Sequence, residues 1–108
     1  MAFDAYDRSL TLLRALVPLL ARLAGIDPKL ADQLRRAAQS TTLNIAEANR
    51  RRGRDRTNRF RTALGSAAEV ASCVDVAVAL GYAAAGDHAD VLALVDRVRA
   101  MTYRLANG

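Results

Sequence analysis

Apolar side chains recur at three- and four-residue spacing along most of the chain, and the breaks between runs mark off four segments. The first predicted helix starts near Asp4 and ends near Ala24, with Tyr6, Leu10, Leu13, Leu16, Val17, Leu20 and Leu23 on one stripe. Pro18 falls inside it and should kink or divide it, and Gly25 closes it. The second has Asp27 as N-cap and Pro28 at the first helical position, where a missing N–H costs nothing. Its face is Leu30, Leu34, Ala37, Ala38, Thr41, Ile45 and Ala48, and it runs out in arginines around Gly53. Asp55 or Thr57 is positioned to cap the third. That helix carries Phe60, Ala63, Leu64, Ala67, Val70, Ala71, Val74, Ala77 and Val78 and stops at Gly81. The fourth begins near Asp87 with Val91, Leu92, Leu94, Val95, Val98, Met101, Tyr103 and Leu105.

Four amphipathic segments with short joints predict an all-α fold, an antiparallel up-down-up-down four-helix bundle over residues 1–108 as a single domain. The competing arrangement is a helical hairpin completed by other chains. Gly65-Ser66-Ala67-Ala68 lets a neighbouring backbone come close, and helices 3 and 4 carry more apolar positions than one narrow seam uses. A homo-oligomer is therefore expected.

Composition narrows the class. The chain has 108 residues, 52% of them apolar and dominated by alanine and leucine, which suits close-packed helices. Cys73 is the only cysteine, which rules out an intrachain disulfide and fits a reducing compartment. It reads as a small buried hydrophobe. Asp4, Asp7 and Arg8 precede the first apolar run, unlike a signal peptide, and the most apolar stretch is too short to cross a bilayer. A cytoplasmic protein without membrane contact is the expectation.

Charge is distributed unevenly. Residues 35–61 hold nine arginines against Glu47 and Asp55, a balance of +7, and the rest of the chain holds seven basic and nine acidic side chains. Such asymmetry speaks to partners rather than to fold.

A polar line, Ser40, Asn44, Glu47 and Arg51, flanks the apolar stripe of helix 2, and Thr62, Ser66, Glu69 and Cys73 form its counterpart on helix 3. Antiparallel packing about a turn near Gly53 places residues whose numbers sum to about 106 at equal height. That register opposes Ser40 to Ser66 and predicts interhelical ion pairs Glu47–Arg59 and Glu69–Arg36. Facing carboxylates also invite a metal or catalytic reading. Di-iron bundles, however, need a Glu-x-x-His pair, and Arg50 and Ser72 stand three residues after the two glutamates. One Cys with one His (His88, read as solvated in the first turn of helix 4) cannot complete a zinc site, and no phosphate-cradling glycine loop or nucleophile–base pair is present. The chain is thus read as non-enzymatic, with no cofactor, no metal and no catalytic residue.

QLRRAAQSTTLNIAEA at 33–48, followed by RFRTALGSAAEV at 59–70, resembles the four-helix bundle proteins encoded by intervening sequences in bacterial 23S ribosomal RNA genes. Their pattern has the form Q-L-R-R-A…S…N-I-A-E-G, then F…A…G-S-A-x-E. It is matched here at Gln33, Arg35, Arg36, Ser40, Asn44, Ile45, Glu47, Phe60, Gly65, Ser66 and Glu69. Ala48 departs from the family's glycine and puts the end of helix 2 and the place of the arginine turn in question. The resemblance implies a bundle without known catalytic activity. It also extends to accessory proteins of diversity-generating retroelements, which look like the same fold in a pentameric ring and bind nucleic acid and a reverse transcriptase. An association with a ribosomal gene is genomic context and not a mechanism.

With two arginines assigned to the glutamates, Arg50, Arg51, Arg52, Arg54, Arg56 and Arg61, joined by Arg35, form the candidate nucleic-acid surface. Guanidinium groups suit bidentate phosphate contact, although a genome rich in G and C also favours arginine, and Lys29 is the sole lysine. The turn lacks aromatic residues apart from Phe60, assigned to the core, so no stacking platform is expected there. Two readings remain: charge-driven binding of RNA or DNA without base specificity, and an oligomeric scaffold whose partner is a protein.

Overall fold

The computed structural model describes residues 2–108, leaving aside the side chains of Ala2 and Asp87. Four α-helices follow one another: α1 (Ala2–Ile26), α2 (Pro28–Asn49), α3 (Gly53–Ala79) and α4 (Ala89–Asn107), with one 3-10 turn (Ala85–His88) before α4. Each helix packs against its neighbours in sequence and α4 closes on α1, giving an up-down-up-down bundle of 43 × 23 × 19 Å. The long dimension matches α3, whose 27 residues span roughly 40 Å at 1.5 Å per residue.

The core is a narrow seam on each helix. In α1 it consists of Ala5, Ser9, Leu12, Leu16, Leu19 and Leu23, alternating in steps of four and three. That stripe is turned from the expected one: Leu16 and Leu23 are buried, Tyr6, Leu10, Leu13 and Leu20 are half-buried, and Val17 is 59% exposed. Seven leucines over Leu10–Leu23 surround more than half the helix, so several stripes satisfy the periodicity. Ser9 fits the buried side because its hydroxyl donates to the Tyr6 carbonyl at 2.6 Å. Pro18 neither ends nor divides α1: it lies on the exposed side, where water can serve the carbonyl it leaves unbonded.

On α2 the expected face is buried in full, and Asp27 caps it by accepting the Leu30 N–H at 3.1 Å. The start of α3 differs from expectation. Neither Asp55 nor Thr57 caps it; the chain enters through extended Arg52 and turns at Gly53, whose φ of +61° suits glycine. Thr57 instead bonds back to the Gly53 carbonyl, and Asp55 sits in the first turn, where a negative charge suits the helix N-terminus. Gly81, with φ of +77°, ends α3 as expected: its N–H bonds to Val78 O and that of Tyr82 to Ala77 O. On α4 the seam is Val91, Val95, Val98, Thr102 and Ala106, with Tyr103 turned outward. Spans Phe3–Ile26 and Gly53–Ala79 are long and apolar enough to cross a bilayer by length and composition, more than the sequence reading allowed. A core helix passes the same test, and both contribute their seams to the bundle.

Candidate functional site

Alternation of direction gathers four helix termini at one end: the starts of α1 and α3 and the ends of α2 and α4. Residues 50–52 cross from α2 to α3 at this end, so the arginine run is the tip of the bundle.

The run divides into structural and unengaged members. Arg51 bridges the turn, donating to Glu47 Oε2 and Asp55 Oδ2, each at 3.2 Å. Its hydrogen bond to Glu47, with Asp55 adding attraction, holds the guanidinium protonated more firmly than usual. Arg56 donates to the Ala48 carbonyl at 3.2 Å and lies 4.8 Å from the centre of the Phe60 ring. It thereby ties the last turn of α2 to the first turns of α3 by a charge-assisted bond and a cation–π contact. Arg59 leans toward Asp55 at 3.9 Å. Arg50, Arg52, Arg54 and Arg61 are exposed, and among the described residues none of them has an acidic partner.

Two expected placements are therefore corrected. Arg51 and Arg56 are not unpaired as expected, because each has a short-range partner in the turn. Arg35 does not join the cluster: it pairs with Asp32 at 2.6 Å and stands fifteen residues before Arg50, roughly 22 Å along the helix. The proposed ion pairs are absent as well. Glu47 is taken by Arg51 and Arg59 by Asp55, and Arg36 pairs with Asp32 at 2.9 Å while Glu69 accepts from Gln33 Nε2 at 3.4 Å. In the three arginine pairs an acid one helical turn away outcompetes one on the neighbouring helix, since the i,i+4 geometry needs no side chain to stretch.

The centre of the α2–α3 seam does match its register. Ser40 and Ser66 hydroxyls meet at 2.7 Å, and Asn44 Nδ2 donates to the Ser40 carbonyl at 2.9 Å and to its hydroxyl at 3.1 Å. Having accepted from Asn44, Ser40 is free to donate to Ser66. Gln33 with Glu69 and Ser40 with Ser66 thus bond α2 to α3, and Asn44 holds Ser40 from within α2.

Among the described residues no group of three or more His, Cys, Asp or Glu could hold a metal ion. Cys73 is buried, and burial first and then the charge of Glu69 push its thiol pKa up, away from nucleophilic character. His88 is half-buried in the 3-10 turn rather than in α4 itself.

Sequence reasoning missed what the other two helices bring to this end. Phe3 and Tyr6 of α1 border a shallow cleft of about 360 Å³ with Ala46, Asn49 and Arg50. Arg99 and Arg104 of α4 line a second one with Leu64, Asp96, Ala100 and Tyr103. The signal was available in the topology, which returns both chain ends to the level of residue 50.

The family model described as 23S rRNA-intervening sequence protein matches residues 2–104. A solved structure of a protein of unknown function from the S23 ribosomal protein family of Bacteroides thetaiotaomicron is 20% identical. It superimposes with a TM-score of 0.86 over 96% of this chain and 99% of its own, a likeness of fold. No curated protein matches the chain.

Proposed function

This chain belongs to the 23S rRNA-intervening sequence protein family, and we propose that it is a non-enzymatic bundle that holds nucleic acid by its phosphates at the α2–α3 end. The observation that carries the reading is the cluster Arg50, Arg52, Arg54 and Arg61, exposed and without acidic partners among the described residues. Like charges held this close by a rigid turn repel, and an anion relieves them. Arg51 and Arg56 support the cluster from behind by fixing the turn. Phosphate contact alone is blind to sequence, so RNA and DNA would both bind, with affinity set by charge and shape.

Self-association belongs to the same proposal. Leu43 on α2 and Val76 and Leu80 on α3 are exposed to an extent that a second copy would relieve. A ring of copies would repeat the basic tip and raise avidity without any new kind of interaction. The alternative function, a scaffold that binds protein, draws on these same side chains.

The test is fluorescence anisotropy with a labelled RNA hairpin and duplex DNA from low to physiological salt, on protein whose mass is known from light scattering. The expected outcome is a log–log salt slope of several units for wild type. Joint replacement of Arg50, Arg52 and Arg54 by Gln should make the duplex slope shallower by about 0.9 for each phosphate no longer neutralised. Absence of binding at low salt would overturn the reading and leave the protein scaffold.

A further inference from the structure

The cleft between the start of α1 and the end of α2 has a composition unlike the rest of the basic tip. Phe3 and Tyr6 stand three residues apart, so their side chains lie on one side of α1. Phe3 is 68% exposed, while Phe60 is wholly buried. A large aromatic ring left in water forgoes stabilisation that the bundle gains from its other leucines and phenylalanine. Opposite the rings stand Ala46, small enough to leave room, Asn49, and Arg50, which belongs to the unengaged arginines. The space of about 360 Å³ falls within the size range of small-ligand clefts. Asn49 lines the cleft, but its Oδ1 is buried without a hydrogen-bond partner, as is Thr42 Oγ1 elsewhere on α2. Asp4 and Asp7 line a neighbouring cleft, with Arg8, Thr11, Arg97 and Met101 toward α4.

We infer that this cleft receives one unpaired nucleobase, stacked on Phe3 and flanked by Tyr6, from a single strand whose phosphates lie on Arg50 and Arg52. A base offers a flat π-face for Phe3, and its own phosphate lies within reach of the neighbouring arginine. A duplex keeps its bases within the stack and reaches the arginines alone. The inference rests on phosphate binding at the tip and adds to it a preference for unpaired nucleic acid. Stacking tolerates any base, so the preference is for single strands and not for a sequence.

The chain contains no tryptophan, so Phe3→Trp places a sole fluorophore of that kind at the platform. The probes are a single-stranded oligoadenylate and a strand of equal length with abasic sites throughout, which carries the same phosphates. Tryptophan emission should be quenched by the first strand and not by the second. Wild type should bind the base-bearing strand roughly 5- to 150-fold more tightly, the range expected for one stacked base. Phe3→Ala should lose that advantage while keeping its affinity for the abasic strand, with circular dichroism confirming an unchanged fold. Equal affinity for both strands, with no quenching, would overturn the stacking site and leave phosphate binding intact. Failure to bind either strand at low salt would overturn both.

Discussion

Replacement of Arg56 by Ala removes a joint of the bundle rather than a ligand-binding group, and its cost can be worked from the geometry. The hydrogen bond to Ala48 O is charge-assisted but 3.2 Å long, and the same carbonyl keeps a bond from the Arg51 N–H at 3.1 Å. Its loss therefore falls below the usual range for charged groups and near that of an ordinary hydrogen bond, about 1 kcal/mol. The guanidinium over Phe60 at 4.8 Å adds roughly 0.5–1 kcal/mol for a half-buried cation–π contact. A total of about 1.5–2 kcal/mol should lower Tm by roughly 6–16 °C in a domain of this size. Arg54→Ala, an exposed site in the same turn, should stay within about 0.5 kcal/mol of wild type. Arg56→Lys keeps the charge and loses the planar stack, so it should fall between the two. Urea and thermal denaturation of the three variants make the comparison, with anisotropy on the folded protein beside it. Arg56→Ala should weaken nucleic-acid affinity less than Arg54→Gln does. A stability of Arg56→Ala equal to that of Arg54→Ala would refute the clamp.

The Ser40–Ser66 bond should behave as a pair: either serine changed to Ala costs about 1 kcal/mol, and the double variant costs less than the sum, since no hydroxyl is then left facing a missing partner. Additive losses in a double-mutant cycle would show the two hydroxyls to be independent. Cys73 should react with a thiol reagent more slowly in the folded protein than in guanidinium-unfolded protein at the same pH. Because its folded pKa is raised, the group stabilises the fold fully below the unfolded thiol pKa, and that contribution is lost as pH climbs through the higher folded value. A Cys73→Ser variant tracks the same alkaline decline only if the cysteine plays no part in it. Gly53→Ala should lower stability by roughly 1–2 kcal/mol through its positive φ alone, since the space around the added methyl is open.

The parts of the fold legible in the sequence are those where local chemistry allows one answer. Asp27-Pro28 leaves no doubt about the start of α2, and its sparse leucines among alanines admit a single buried face. On α1 the leucines are too many for periodicity to choose among them, and the choice fell to Ala5 and Ser9, small residues that a search for large apolar side chains passes over. Ser40 opposite Ser66 was readable because short side chains in a tight seam can reach only what stands across from them. Long side chains have options, and Glu47, Arg36 and Arg59 each took the partner one turn away. The arginine tip was legible as charge, but not as a division of labour among arginines. The aromatic cleft was hidden for a different reason: Phe3 and Arg50 lie at opposite ends of the first helical hairpin, and only its closure makes them neighbours.

The link from Arg50 to Arg52 also bears on how the chain reaches this shape. Helices α2 and α3 share the most extensive pairing in the bundle, and only residues 50–52 separate them, so this hairpin has little loop entropy to overcome. It is accordingly a natural place for folding to begin. Yet its closure crowds arginines before the serine seam has formed to compensate. The barrier to folding therefore carries an electrostatic part that dissolved salt lowers. A polyphosphate chain, like dissolved salt, would lower that part of the barrier by screening the arginines as the hairpin closes.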